Sequence, residues 1–198
     1  MENKNNVLSI DCDYALTVQS LTNVVRFFLQ HIKKIDLENI VFSQIHANIF
    51  YTLEPLLQRE KQIDILTIDD HHDIYGKDNV VSSQHFDSTD WLGHYLGRDN
   101  FIQNAYWLCN YESSKACSIN RYDDIMTIMY DFEEIEFDKF DNLFVCISPI
   151  TAHHHLSYSL FNVLIEIVKN EKKCKKADFY KKNILNHFSK QLSPQRKI

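Results

Sequence analysis

The segment ILTIDDHHDIYG, residues 65–76, closes an apolar run with Asp69, Asp70, His71, His72 and Asp73. Three carboxylates in five residues repel one another, and they lose hydration if buried. Such a segment either lies open to water as a polar loop or gathers around something positive. Two other apolar runs lead into the same residue types: LSIDCDY with Asp11 and Asp13, and VFSQIH with His46. Side chains at i, i+2 and i+4 of an extended segment share one side. Asp69, His71 and Asp73 are therefore expected to converge, as are Asp11 and Asp13. Asp70 and His72 then point the other way, as supports or toward solvent. Four carboxylates and two imidazoles, with no thiolate among them, suit hard or borderline divalent ions and favour manganese over a soft-ligand zinc site. Two ions about 3.5–4 Å apart could share two of the carboxylates and activate a water. Bound cations would also remove the charge conflict.

These residues meet only if the elements before them bring their ends together. NVLSID reads as a strand, followed by the helical pattern TVQSLTNVVRFFLQHI, in which Leu21, Val24, Val25, Phe28, Leu29 and Ile32 share a face. ENIVFSQ is a second strand, NIFYTLEPLLQRE a helix disturbed at Pro55, and IDILTID a third strand. STDWLGHYLG reads as a short helix capped by Ser88 or Thr89, and FIQNAYWLCN fits strand or helix. NLFVCIS is a further strand, and LSYSLFNVLIEIVKN and DFYKKNILNHFSKQL read as closing helices. This alternation predicts an α/β fold: a three-layer, mostly parallel sheet flanked by helices. Reactive groups in such sheets collect at the carboxyl ends of the strands, where the acidic clusters fall.

The chain of 198 residues reads as a single domain, 1–198, with a basic C-terminal helical tail over 169–198. That tail carries ten Lys or Arg against Glu171 and Asp178, a net of +8, so with −6 overall the first 168 residues carry −14. An acidic body argues against nucleic acid as a partner. The tail reads as a solvated helix, with an acidic partner as the alternative. No apolar stretch approaches the roughly 18 residues of a membrane span, and no signal-peptide layout opens the chain. Five cysteines, Cys12, Cys109, Cys117, Cys146 and Cys174, form no C-x-x-C pair and read as buried, reduced thiols of a cytoplasmic protein. Only Gly76, Gly93 and Gly97 occur, which excludes a Walker loop and a G-x-G-x-x-G turn.

IDDHHDI resembles the D-x-H-x-D segment of the arginase (ureohydrolase) superfamily, which binds two manganese ions. His46 precedes Asp69 by 23 residues, similar to the separation of a further ligand histidine in that family. LSIDCDY resembles the S-x-D-x-D segment that supplies the remaining ligands. In arginases that segment follows D-x-H-x-D, whereas here it opens the chain, so the sequence looks circularly permuted. It is more similar still to a group of small arginase-like proteins that includes peptide arginases, which convert arginine residues of ribosomal peptides to ornithine. STDWLGHYLG and YWLCNYESS resemble segments of that group more loosely, and the likeness covers residues 7 to about 150.

The resemblance implies an arginase–deacetylase-like fold and a manganese pair bridged by Asp11 and Asp69. His46 and Asp73 would complete one coordination sphere, and His71 with Asp13 the other. Asp73 would also hold the attacking water and pass a proton to the departing amine. The implied partner is an arginine-containing precursor peptide, and the implied products are ornithine and urea. The chemistry is consistent, since guanidinium is a resonance-stabilised, cationic and poor electrophile that needs hydroxide. The chain departs from the family in its FSQIHAN turn, which replaces a glycine-rich one, in the missing D-P step after D-x-D, and in having no E-V-N-P segment.

Further residues carry both a chemical and a plain reading. His85 and His94 could deliver a proton to the leaving group, or serve as polar surface or helix residues. In TAHHHL, His153 or His155 could reach a substrate. Asn110 and Ser113 resemble group positions and are candidate substrate contacts. Trp91, Tyr106 and Trp107 read as core or pocket wall. Three rivals stand beside the arginase reading. VLSIDCDYALT also looks like the opening segment of haloacid-dehalogenase-type phosphatases, with Asp11 and Asp13 as nucleophile and acid/base. A single-zinc, deacetylase-like hydrolase is the second. The third is a metal-clipped peptide-binding module without turnover.

Overall fold

A computed structural model describes residues 4–74, 90–98, 100–109, 126–147, 155–174, 179 and 183–185. Within them the apolar runs form β1 (Asn5–Asp11), β2 (Ile40–Ser43), β3 (Ile63–Ile68), β4 (Ile102–Leu108), β5 (Met126–Met129), β6 (Asn142–Cys146) and the two-residue β7 (Ile184–Leu185). They lie in the order β5-β4-β3-β1-β6-β2-β7, and every pairing is parallel. The helices are α1 (Val18–His31), α2 (Phe50–Leu57), α3 (Trp91–Leu96) and α4 (His155–Glu171).

Alternation along the strands feeds two apolar layers. Leu8 and Ile10 of β1, Leu66 and Ile68 of β3, and Leu143 and Val145 of β6 pack with Val24 and Phe28 of α1 and Leu160 and Leu164 of α4. Val7, Ile65 and Phe144 face the other way, onto Leu53 and Leu56 of α2 and Trp91, Leu92 and Tyr95 of α3. The result is the expected three-layer α/β arrangement. Among the described residues no helix is long and apolar enough to cross a membrane.

Local readings were altered by tertiary context. Helix α1 starts at a capping box of Thr17 and Ser20, as a helix N-terminus should, but buries Phe27 and leaves Leu29 exposed. FIQNAYWLCN resolves as strand β4, paired with β3 and β5. Strand β5, within the apolar run IMTIMY, is a strand that was not expected. The N-cap of α3 is Asp90, and its side chain makes no capping bond. The backbone carbonyl of Asp73 accepts from the N–H groups of Leu92 and Gly93 instead, at 3.1 Å each. The second closing helix is not continuous as expected, because Ile184 and Leu185 extend the sheet beside β2. Asn183 anchors that strand by donating from Nδ2 to the carbonyls of Leu37 and Ile40 at 2.8 and 2.7 Å.

The chain leaves β1 for β2 on one side of the sheet and returns to β3 on the other. Strand β1 is therefore the switch point, outside whose carboxyl end a ligand crevice is expected. Strand β6 enters later, between β1 and β2.

Candidate metal centre

Strand register assembles the floor of the centre. Ile10 pairs with Ile68, which puts Asp11 and Asp69 one step further on at a common level. Asp11 pairs with Cys146, and Cys146 with Ser43. By strand parity these four residues face the α2–α3 layer, in a row across the carboxyl ends of β3, β1, β6 and β2.

Two matching turns then bring the next donors back. Oδ1 of Asp11 accepts from the backbone N–H of Asp13 at 3.2 Å, and Oδ1 of Asp69 accepts from that of His71 at 2.8 Å. An aspartate bonding the amide two residues on is the local device that makes Asx turns. Convergence thus comes from turning. The expectation of extended segments with i, i+2 and i+4 aligned is corrected, because Cys12–Tyr14 form a 3-10 turn and Asp73 has a φ of 53°. His72 is not solvent-facing either. It is buried edge-on to Trp107, and its Nδ1 accepts from the amide of Ile74 at 3.0 Å.

His46 opens a 3-10 turn after β2, shaped by Ser43, whose Oγ accepts from the amide of Ile45 and from Asn48 Nδ2. Its ring stacks on Phe144 with centroids 5.8 Å apart and lies 5.0 Å from Trp91. Nε2 of His46 lies 3.1 Å from the hydroxyl of Ser9. Nδ1 lies 2.9 Å from Asp73 Oδ2, 3.2 Å from Asp11 Oδ2 and 3.3 Å from Asp69 Oδ2. One ring nitrogen carries at most one proton, so it cannot hydrogen-bond all three carboxylates. A cation among them would interact favourably with all four groups.

Asp73 is held from two directions. Its backbone carbonyl caps α3 as described, and its Oδ2 accepts from the indole Nε1 of Trp91. Helix α3 must lie close for this: a Cβ on Gly93 would stand 2.8 Å from Asp90 Oδ1 and 3.1 Å from Ile74 Cγ2. On the far side, His71 Nδ1 lies 3.3 Å from Asp13 Oδ2 and 3.8 Å from Asp69 Oδ1.

The electrostatics match an incomplete charge balance. Asp11, Asp13, His46, Asp69 and Asp73 are all buried, whereas the His71 side chain is 38% exposed and marks the open side. Burial, with repulsion from Asp73, Asp13 and Asp11, pushes the Asp69 carboxyl well above the usual carboxylate range. Hydrogen bonds to Asp13 and Asp69 raise His71 to about 11. Burial opposes charging of His46, yet Cys146, Asp73 and Asp11 together hold its pKa well above the ordinary imidazole value. The donor atoms of His46, Asp69 and Asp73 lie within 4.8 Å of one another, as do those of Asp13, Asp69 and His71. These clusters can hold metal ions, and Asp69 belongs to both.

All six expected ligands therefore come together. The other candidates divide. His94 is buried on α3 beside Arg98 and edge-on to Tyr95, and burial, reinforced by Arg98, lowers its pKa. His155 is exposed at the start of α4. His85, Asn110, Ser113 and His153 lie outside the described residues. Sequence reasoning missed Cys146, treated as one small buried residue among five. It also missed Ser9 and the indole of Trp91 as supports. The S-x-D spacing was the available signal for Ser9, since i and i+2 share a sheet face.

No protein-family model, curated protein or solved structure matches this chain.

Proposed function

We propose that the chain is a dimanganese hydrolase of the arginase type, converting arginine residues of a peptide to ornithine with release of urea. The observation that carries this reading is the crowding of three carboxylates from two strand ends onto His46 Nδ1, with Asp69 shared by a second donor group. Oxygen and imidazole donors of this kind suit manganese. Once bound, the ion pair would supply water with a pKa lowered toward about 7.

The remaining roles fall to the chain. Asp11, Asp13, His46, Asp69, His71 and Asp73 would hold the ions, with His46 and Asp73 in one donor set and Asp13 and His71 in the other. Water adds to the guanidinium carbon, the bond to the side-chain nitrogen breaks, and urea and the ornithine amine separate. Asp73, its carboxylate oriented by Trp91, carries the proton to that amine. Four carboxylates balance the charge of two divalent ions, so the loaded site would tolerate a cationic substrate, which enters past the half-open His71. His94, on the same helix as Trp91, is the second candidate for the proton relay. A cytoplasmic location belongs to the same reading, in which the cysteines stay reduced.

The test is manganese content, then urea release from an arginine-containing peptide and from free arginine. About two manganese ions per chain with urea from the peptide is the expected result. Metal without urea from either substrate would leave the non-catalytic peptide-binding module. Magnesium-dependent phosphatase activity lost in Asp11→Asn but kept in His71→Ala would replace the arginase reading.

A further inference from the structure

Cys146 is unused by the dinuclear reading, although it lies within the same cluster of donors. It ends β6, fully buried and in register with Asp11. Its thiol, a carboxylate oxygen of Asp11 and a ring nitrogen of His46 lie within 4.8 Å of one another. The position is built rather than incidental. Strand β6 lies between β1 and β2, so its last residue falls between the strand carrying Asp11 and the turn carrying His46. Phe144, two residues earlier on the same face, stacks under the His46 ring and sets its plane.

The donor chemistry differs from that of the two oxygen-rich groups. One sulfur, one imidazole and one carboxylate form a mixed set suited to zinc, cobalt or cadmium, and poorly to manganese. Three protein donors also leave a tetrahedral ion one position for water or a ligand. We propose that Cys146, Asp11 and His46 form a thiolate-containing site for a thiophilic divalent ion such as zinc. The site shares Asp11 and His46 with the dinuclear reading but requires neither manganese nor arginine chemistry.

Titration of the metal-free full chain with cobalt or cadmium tests this by the sulfur-to-metal charge-transfer absorption. A saturable band is expected in the wild type, absent in both Cys146→Ala and Cys146→Ser and retained in Cys109→Ser. X-ray absorption of the zinc-loaded wild type needs no variant, and should show one sulfur at about 2.3 Å with nitrogen and oxygen completing the shell. No band in the wild type, a band surviving Cys146→Ser, or a zinc shell without exactly one sulfur would overturn the proposal. Manganese uptake is measured separately. If it fails while the band appears, the dinuclear reading falls alone; two manganese ions and no band remove only the thiolate site.

Discussion

The indole of Trp91 donates to the carboxylate of Asp73, so the first residue of α3 fixes the last acid of the ligand segment. Trp107 makes a parallel contact on β4, donating from Nε1 to the backbone carbonyl of Asp69 at 3.0 Å. These are the two tryptophans of the chain, and each is bonded to a residue of the centre. Manganese is paramagnetic and should quench both. Tryptophan fluorescence is expected to fall on titration of the metal-free protein and to saturate with the bound-metal content. Asp69→Asn should abolish the response. An unchanged signal with manganese bound would place the ions elsewhere.

Asp69 belongs to both oxygen-rich donor groups, and its charge is opposed by burial and by Asp73, Asp13 and Asp11. Asp69→Asn should therefore remove manganese from both positions, whereas His71→Ala should remove it chiefly from one. The same Asn relieves repulsion against Asp73, Asp13 and Asp11, so the metal-free variant should melt higher than the metal-free wild type. Each kcal/mol relieved corresponds to about 2–4 °C for a chain of this size. Elemental analysis and a thermal melt read the two effects. A lower metal-free melting point would mean that the carboxylate stabilises the fold without an ion.

His46 and His71 both have raised pKa values in the metal-free protein, His71 to about 11. A ligand imidazole must give up its proton, so manganese affinity should rise with pH across the neutral range, by up to about tenfold per unit for each proton displaced. The contribution of His71 to the metal-free fold should have the opposite dependence. The stabilisation from charged His71 is complete below the unfolded value near about 6.5 and is lost as pH rises through about 11. Binding isotherms at several pH values decide the point, and affinity independent of pH would exclude both imidazoles as ligands.

Ser9 faces His46 Nε2, and the opposite ring nitrogen faces the carboxylates. A hydrogen bond on one imidazole nitrogen fixes the tautomer that presents the other. Ser9→Ala is expected to weaken manganese binding by about 10–100-fold. The fold should lose only about 1 kcal/mol, the scale of one hydrogen bond. Equal losses of stability and affinity, restored together by high manganese, would fit the expectation less well than a binding defect in a protein of near-normal melting point. Unchanged affinity would remove the tautomer argument.

Much of this was readable along the chain. Apolar runs ending in Asp11, Asp69 and a turn to His46 mark strand ends by local pattern alone, and parallel α/β sheets gather such ends at one edge. The six ligand-type residues could therefore be named before any contact was known. The local reason given for their convergence was wrong in form: Asx turns at Asp11 and Asp69 bend the chain, where an extended alignment had been expected. The cap of α3 was misread for a related cause, because the group that satisfies its amides belongs to Asp73, remote in sequence.

By itself, then, the sequence determined which side chains stand at the strand ends, since apolar periodicity and charge are properties of neighbouring residues. It could not determine strand order, because parallel crossovers may skip a place in the sheet and local composition does not record which place is skipped. Only the folded chain inserts β6 between β1 and β2, putting Cys146 against Asp11 and Phe144 beneath His46. Only docking of α3 brings Trp91 to Asp73. Those contacts depend on hydrogen-bond register and packing between distant segments, and they decide whether six scattered donors become one centre.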